Sequence, residues 1–132
     1  MSIGDYDRIV ALWKRTTGIG LSDADTKENI LRFLERNPGL SFVCESEKKI
    51  LGTVLCGHDG RRGYIYHLAV DDASRKQGIG KKLMASSLEK LRLQGIAKCH
   101  LFLYTDNETA MRFYEKTGWM KRGNLLIYSK DL

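Results

Sequence analysis

The sequence contains one proline and no long apolar run. A single proline among 132 residues, together with 42% hydrophobic residues, excludes a proline-rich or intrinsically disordered chain. No stretch approaches the roughly 20 apolar residues of a membrane helix. The N-terminus "MSIGDYDRIV" also lacks the basic and apolar regions of a secretion signal. We therefore expect one domain over residues 1–132, located in the cytoplasm and without membrane contact.

Cysteine is scarce and shows no metal-binding spacing. Cys44, Cys56 and Cys99 are odd in number, form no CxxC pair and lie in separate apolar runs typical of strands. Free cysteine is among the most buried residue types. We therefore interpret all three as core thiols and expect no metal site.

Helical and strand-like patterns follow one another in an order that predicts an α+β fold. Two amphipathic helices are predicted first, one capped by Asp5 and one running from near Thr26 to Asn37. The segments "LSFVCES", "KILGTVLCG" and "YIYHLAV" then read as three strands of an antiparallel meander.

The second half of the chain predicts a β-α-β crossover. A helix ending near Gln94 connects "YIYHLAV" to the strand "AKCHLFLYT", so these two strands are expected to be parallel. A shorter helix in "NETAMRFYEKTG" and terminal strand material in "WMKRGNLLIYSKDL" follow. The predicted architecture is a mixed, mostly antiparallel sheet flanked by helices in three layers.

Acidic residues are absent from "RKQGIGKKL" (75–83), which holds two glycines. A helix that begins at Gly78 leaves its first N–H groups unpaired, and Gly78 and Gly80 let a bulky anion approach the backbone. Four side chains add positive charge: Arg75, Lys76, Lys81 and Lys82. The stretch therefore predicts a phosphate or pyrophosphate site.

Two common phosphate-binding motifs do not fit this stretch. A Walker loop requires serine or threonine where this chain has Lys82, and the dinucleotide motif requires a small residue where it has Leu83. The pattern R-x-x-G-x-G fits over Arg75–Gly80, and "NETAMRFYEKTGW" (107–119) matches N-x-x-A-x-x-F-Y-x-x-x-G-[FW]. Together they resemble the two signatures of the GCN5-related N-acetyltransferases, the GNAT family. "GHDGRRG" (57–63) further resembles a bacterial subgroup of that family, although only "MSI" stands where the family usually has a first strand.

The resemblance implies an enzyme that uses acetyl-CoA and transfers the acetyl group directly to a primary amine. Backbone groups of Leu68–Val70 would line the pantetheine arm, with an N–H near Val70 toward the acetyl oxygen, and Tyr114 would protonate the departing thiolate. Val70 and Tyr114 are thus the implied catalytic residues. The implied cofactor-binding residues are Leu68, Ala69, Val70, Arg75, Lys76, Gln77, Gly78, Ile79, Gly80, Lys81, Asn107, Phe113 and Tyr114.

The sequence does not identify a general base. Relatives often carry a glutamate or histidine on the strand where this chain has Tyr64 and Tyr66. The resemblance therefore makes Tyr64 and Tyr66 substrate-side candidates, although neither tyrosine is a natural base. Strand alternation places His67 on the opposite face, so we interpret it as a packing residue. His58 and Asp59 reach the substrate in one interpretation and form only a solvated turn in the other.

The net charge of +6 leaves other classes of function open. One alternative is an acyl-CoA sensor without turnover, and another is a basic nucleic-acid-binding module. The paired cations have no recognition helix or stacking aromatics beside them, which argues against nucleic acid. We expect a small amine or a peptide amine as the acceptor, and a monomer or homodimer.

Overall fold

A computed structural model describes all residues from 1 to 132, which divide into two compact units, Met1–Phe102 and Leu103–Leu132. None of the helices has the length and apolar character needed to cross a membrane. The helices are α1 (Tyr6–Lys14), α2 (Lys27–Arg36), α3 (Ile79–Leu93) and α4 (Glu108–Lys116). The strands are β1 (Phe42–Ser46), β2 (Lys49–His58), β3 (Gly63–Val70) and β4 (Cys99–Leu101). Short 3-10 turns cover Ile3–Asp5, Asp23–Asp25 and Asp72–Ser74.

The two N-terminal helices begin where the sequence predicts. Asp5 directly precedes α1, although its carboxylate accepts the Ser2 N–H at 2.8 Å instead of a helix N–H. Thr26 caps α2 by accepting the Asn29 N–H at 3.3 Å. Residues 1–5 contain no strand, and Ile3–Asp5 forms a 3-10 turn.

The four strands form one mixed sheet in the order β1-β2-β3-β4. β1 pairs antiparallel with β2, and β2 with β3, whereas β3 and β4 are parallel and are connected through α3. The predicted meander and the predicted crossover are both confirmed. The last strand is shorter than predicted, since β4 ends at Leu101.

The sheet is covered on both faces. A single core cluster joins α1 and α2 to one face: Ile9, Leu12, Trp13, Ile30, Ile50, Leu55 and Ala69. On the other face α3 lies very close to the sheet. A Cβ at Gly52 would lie 2.8 Å from Ile79 Cγ2, and a Cβ at Gly63 would lie 2.5 Å from Leu91 Cδ1. Glycine is thus required where α3 packs on β2 and β3.

A β-bulge interrupts the pairing of β2 with β3. The register shifts between Thr53 and Leu55, which leaves His67 and Leu68 without partners on β2. His67 has a φ of +49°, in the left-handed region. The Trp13 indole N–H donates to Thr53 Oγ1 at 2.8 Å, and Thr53 Oγ1 donates to the His67 carbonyl at 3.0 Å. These two hydrogen bonds tie the bulge to α1.

The bulge places His67 on the face opposite to the predicted one. The ring centroids of His67 and Trp13 are 4.6 Å apart, and those of Tyr66 and Phe33 are 6.3 Å apart. Trp13 and Phe33 belong to one core cluster, so Tyr66 and His67 face the same side of the sheet. The prediction from strict alternation is wrong, because a bulge adds a residue and resets the alternation.

The unit Leu103–Leu132 contains α4 and no strand. Asn107 caps α4 by accepting the Ala110 N–H at 3.2 Å. The predicted terminal strand is wrong: residues 119–132 have no regular structure, and the side chains of Leu126 and Ile127 are exposed. Apolar residues form a strand only where the backbone finds a pairing partner, and this unit offers none.

Candidate functional site

The glycine-rich stretch forms a loop that leads into the first turn of α3. A 3-10 turn, Asp72–Ser74, connects it to the end of β3. Lys76 and Gly78 both have left-handed backbone, with φ of +64° and +77°. A Cβ at Gly78 would meet no atom within 4 Å. The space beside the start of the helix is therefore open.

The start of α3 keeps free backbone donors. No side chain caps it, and its first intrahelical hydrogen bond is donated by the Lys82 N–H to the Gly78 oxygen at 3.0 Å. The N–H groups of Ile79, Gly80 and Lys81 therefore have no acceptor in the chain. They also carry the partial positive charge of the helix dipole.

The first turn of α3 also differs from the other helices in charge. The other three α-helices each have an acid in the first turn, namely Asp7, Glu28 and Glu108, and α3 has none. Exposed Lys81 and Lys82 stand there instead. Cations at a helix N-terminus are unfavourable for the helix itself, so this arrangement suits an anionic ligand and not the stability of α3.

The two acids between β3 and the loop are both paired with cations. Asp71 Oδ1 lies 3.0 Å from Arg15 Nη2 and Asp71 Oδ2 lies 3.6 Å from Lys49 Nζ. The hydrogen bond from Arg15 lowers the pKa of the Asp71 carboxyl below its ordinary value. Arg75 Nε lies 3.1 Å from Asp72 Oδ1. Asp71 thereby fixes the end of β3 to the end of α1, a role that sequence reasoning missed; the available signal was an acid directly after an apolar strand.

The end of β3 lies between the bulge and the loop. Ala69 is buried, and Leu68 and Val70 are half-buried. Ala69 pairs with Thr53 and Val70 pairs with Gly52, but Leu68 has no partner on β2. The structure therefore brings the predicted pantetheine-lining segment next to the predicted pyrophosphate loop, within the unit Met1–Phe102.

Tyr64 and Tyr66 form an aromatic surface on the face of α1 and α2. Their ring centroids are 6.5 Å apart at an angle of 20°, and Tyr64 stacks in the same way on Phe102 at 6.3 Å. Burial, and to a smaller degree the neighbouring Tyr64, raise the pKa of the Tyr66 hydroxyl. Tyr66 therefore stays protonated at neutral pH, and its phenol is poorly suited to accept a proton.

The "HDGRRG" turn uses its polar side chains internally. The His58 ring accepts the Gly60 N–H at 2.9 Å through Nδ1, and its Nε2 lies 2.8 Å from Gln94 Oε1 at the end of α3. The Asp59 carboxylate accepts two backbone N–H groups of the turn at 2.8 Å each. These bonds, led by that from Arg62, lower the pKa of Asp59. The substrate-side role of His58 and Asp59 stays a prediction.

The two basic turns lie at opposite ends of α3. The loop precedes the first residue of the helix, and His58 contacts Gln94 directly after its last residue. A helix of 15 residues separates these ends by about 22 Å.

The second motif lies on α4. Asn107 is its N-cap, and the Tyr114 ring packs edge-on against Phe113 and Trp119 at 5.2 and 5.8 Å. Burial raises the pKa of Tyr114 to about 12. Its phenol is therefore fully protonated at neutral pH.

Two of the three cysteines have thiols with a raised pKa. Cys56 is fully buried, as predicted, whereas Cys44 and Cys99 are half-buried. Burial raises the pKa of Cys56 to about 12 and that of Cys99 to about 11. A thiol is nucleophilic only as its thiolate, so neither of these residues is suited to covalent catalysis.

Comparisons with a family model, with related sequences and with solved structures all point to the same family. Residues 6–119 match the model of the Acetyltransferase (GNAT) family. The chain is 34% identical over 112 residues to an acetyltransferase of Pectobacterium atrosepticum, covering 85% of this chain and 79% of the relative. It is 30% identical over 128 residues to an acetyltransferase of Sodalis glossinidius, covering 97% of this chain and 89% of the relative. In fold it resembles the PaiA N-acetyltransferase of Thermoplasma acidophilum in complex with coenzyme A, with a TM-score of 0.79 at 20% identity, over 93% of this chain and 90% of that one. The chain thus belongs to the GNAT family of acetyltransferases.

Proposed function

We propose that the chain transfers an acetyl group from acetyl-CoA directly to a primary amine of a small molecule or a peptide. The observation that carries the proposal is the start of α3, with three free N–H groups, open space at Gly78 and no acid in its first turn. This donor set fits a pyrophosphate. Membership of the GNAT family indicates coenzyme A as the molecule that presents it.

The loop and the first turn of α3 would hold the cofactor. The N–H groups of Ile79–Lys81 donate hydrogen bonds to the pyrophosphate, and the side chains of Arg75, Lys76 and Gln77 surround it. Bound acetyl-CoA supplies the activated acyl group as a thioester. The absence of an acidic neighbour in the first turn leaves the full attraction between this helix start and the anion.

The end of β3 has the task of orienting the acetyl group. In this proposal a backbone N–H near Val70 donates a hydrogen bond to the acetyl oxygen, where negative charge develops during attack. The bulge supports this role, because it leaves Leu68 outside the β2–β3 ladder. Direct transfer needs no nucleophilic side chain, which agrees with the protonated thiols of Cys56 and Cys99.

The motif match assigns Tyr114 the role of proton donor to the departing thiolate, with Asn107 and Phe113 as further cofactor contacts. A donor must be protonated at working pH, and burial raises the pKa of Tyr114 to about 12. The phenol is therefore protonated at neutral pH and can donate a hydrogen bond to the developing thiolate.

The test is acetyl transfer by the purified chain with a panel of primary amines, followed as amide product by mass spectrometry. Tyr114→Phe keeps the ring and removes only the hydroxyl. We expect kcat to fall by roughly 10²-fold, with cofactor Kd and Tm preserved. The exposed Tyr128→Phe in the same unit is the matched control and should behave as wild type.

Two outcomes would contradict parts of this proposal. A folded Tyr114→Phe variant with wild-type single-turnover transfer would remove Tyr114 from the chemistry. A wild-type chain that binds acetyl-CoA and acetylates no amine would favour the sensor alternative.

A further inference from the structure

The imidazole of His67 is held by a carboxylate that is itself fixed. His67 Nε2 lies 2.6 Å from Asp25 Oδ1, and both side chains are largely buried. Asp25 Oδ2 accepts the Ser22 N–H at 2.9 Å, and the Asp25 carbonyl accepts the Tyr6 hydroxyl at 2.7 Å. Both carboxylate oxygens are therefore engaged, and the ring of His67 is oriented through a contact between residues 42 positions apart.

The second ring nitrogen of His67 is free. A carboxylate only accepts hydrogen bonds, so Nε2 carries the hydrogen in the neutral ring and Nδ1 has the lone pair. Nδ1 makes no hydrogen bond in the chain. Every buried side-chain nitrogen and oxygen does have a partner, so Nδ1 is not a buried atom. Nδ1 therefore reaches solvent. One ring nitrogen of His67 thus donates to a carboxylate, and the other is an acceptor open to solvent. This is the arrangement of a general base.

The bulge places the His67 ring beside the strand end that we propose to orient the acetyl group. His67 directly precedes Leu68–Val70, and its ring lies on the same face as the ring of Tyr66. The groups near the imidazole are Trp13 of α1, Asp25 of the 3-10 turn and, through the Asp25 carbonyl, Tyr6. The carboxylate of Asp25 is the one anion among them, and it is placed to stabilise an imidazolium.

We propose that His67 is the general base of the acetyl transfer and that Asp25 is its positioning residue. This inference rests on the proposed function. The substrate ammonium gives one proton to His67 Nδ1, and the neutral amine then forms the C–N bond as the C–S bond breaks. Tyr114 protonates the departing thiolate, and the second proton lost from nitrogen passes through solvent to restore the Tyr114 phenol. His67 returns its proton to solvent.

The test uses His67→Asn, because asparagine tolerates positive φ and its side-chain amide accepts no proton. We expect kcat/KM for the amine to fall roughly 10²-fold, with cofactor Kd unchanged and the acid limb of the pH–rate profile lost. Asp25→Asn should lower kcat by a smaller factor and keep the acid limb. His100→Asn, which removes a histidine of β4 that has no carboxylate partner, is the matched control.

Chemical rescue separates catalysis from packing. His67→Gly fits the left-handed backbone and leaves room for free imidazole, which should restore part of kcat in this variant and not in His100→Gly. Absence of rescue together with an unchanged pH profile in His67→Asn would overturn the proposal. Wild-type amine transfer is measured first. If wild type transfers no acetyl group, the proposed function fails and this inference with it; if wild type is active and His67→Asn matches it, only this inference fails.

Discussion

Two basic glycine turns flank α3 and differ in what their backbone donors do. The loop 75–80 and the turn 58–63 each combine two glycines with at least two cations. In the turn, the N–H groups of Gly60, Arg61 and Arg62 all donate to side chains of the same turn. At the start of α3, the N–H groups of Ile79–Lys81 have no acceptor in the chain.

This difference separates a turn whose backbone donors are satisfied internally from one whose backbone donors are free to bind a ligand. Residue composition is almost the same in both, so composition alone does not distinguish them. The presence of an acid distinguishes them. Asp59 accepts backbone N–H groups of its own turn, whereas the first turn of α3 has no acid. We conclude that the two turns differ in unused backbone donors and not in positive charge.

The largest effect on coenzyme A affinity is expected from obstructing the free N–H groups at the start of α3. Gly80→Val places a branched side chain among the three N–H groups, and we expect the Kd for coenzyme A to rise at least tenfold, about 1.4 kcal/mol. Isothermal titration calorimetry measures the change. Ala85→Val introduces the same side chain at an exposed position of the same helix and should leave Kd unchanged. Equal affinity in a folded Gly80→Val variant would show that the anion binds elsewhere.

The sequence predicts the fold well wherever local patterns suffice. The periodicity of α1–α4, the meander and the crossover are all local patterns, and Gly78 at the start of α3 follows from the same reading. The open loop and the uncapped start of α3 could therefore be predicted from residues 75–83 alone. The short signature of that loop needs no contact with distant residues.

Features that depend on distant residues were not predictable in this way. The bulge at His67 rests on a Thr53 hydroxyl 14 positions away, and the orientation of its ring rests on Asp25, 42 positions away. A single added residue in β3 leaves no trace in the apolar pattern of "YIYHLAV", yet it reverses the face of His67. The prediction of a terminal strand was wrong for a related reason. Residues 119–132 are apolar enough for a strand but have no pairing partner within their unit.

A smaller effect is expected from removing charge beside the same donors. Lys81→Gln/Lys82→Gln should raise the Kd for coenzyme A by roughly fivefold and weaken its dependence on salt, because the pyrophosphate loses two screened attractions. The variant should also unfold at a slightly higher temperature, since cations at a helix N-terminus are unfavourable. Arg61→Gln/Arg62→Gln removes the same charge from the other turn and should leave Kd unchanged. A similar loss of affinity in both double variants would show that net charge, and not the helix start, attracts the cofactor.

The smallest effect is expected in the turn whose donors are already satisfied. Asp59→Ala removes the acceptor of two N–H groups and should lower Tm by a few degrees without changing the Kd for coenzyme A. The hydrogen bonds from Arg62 and Arg61 lower the pKa of Asp59 in the folded chain. Its stabilising contribution is therefore present above the ordinary carboxyl pKa and is lost as the pH falls through the lowered one. The Tm difference between wild type and Asp59→Ala should accordingly be largest at neutral pH and shrink in acid, measured by calorimetry beside Asp131→Ala as an exposed-acid control. A Tm difference that does not vary with pH, or a weaker coenzyme A affinity in Asp59→Ala, would show that this turn does more than close a hairpin.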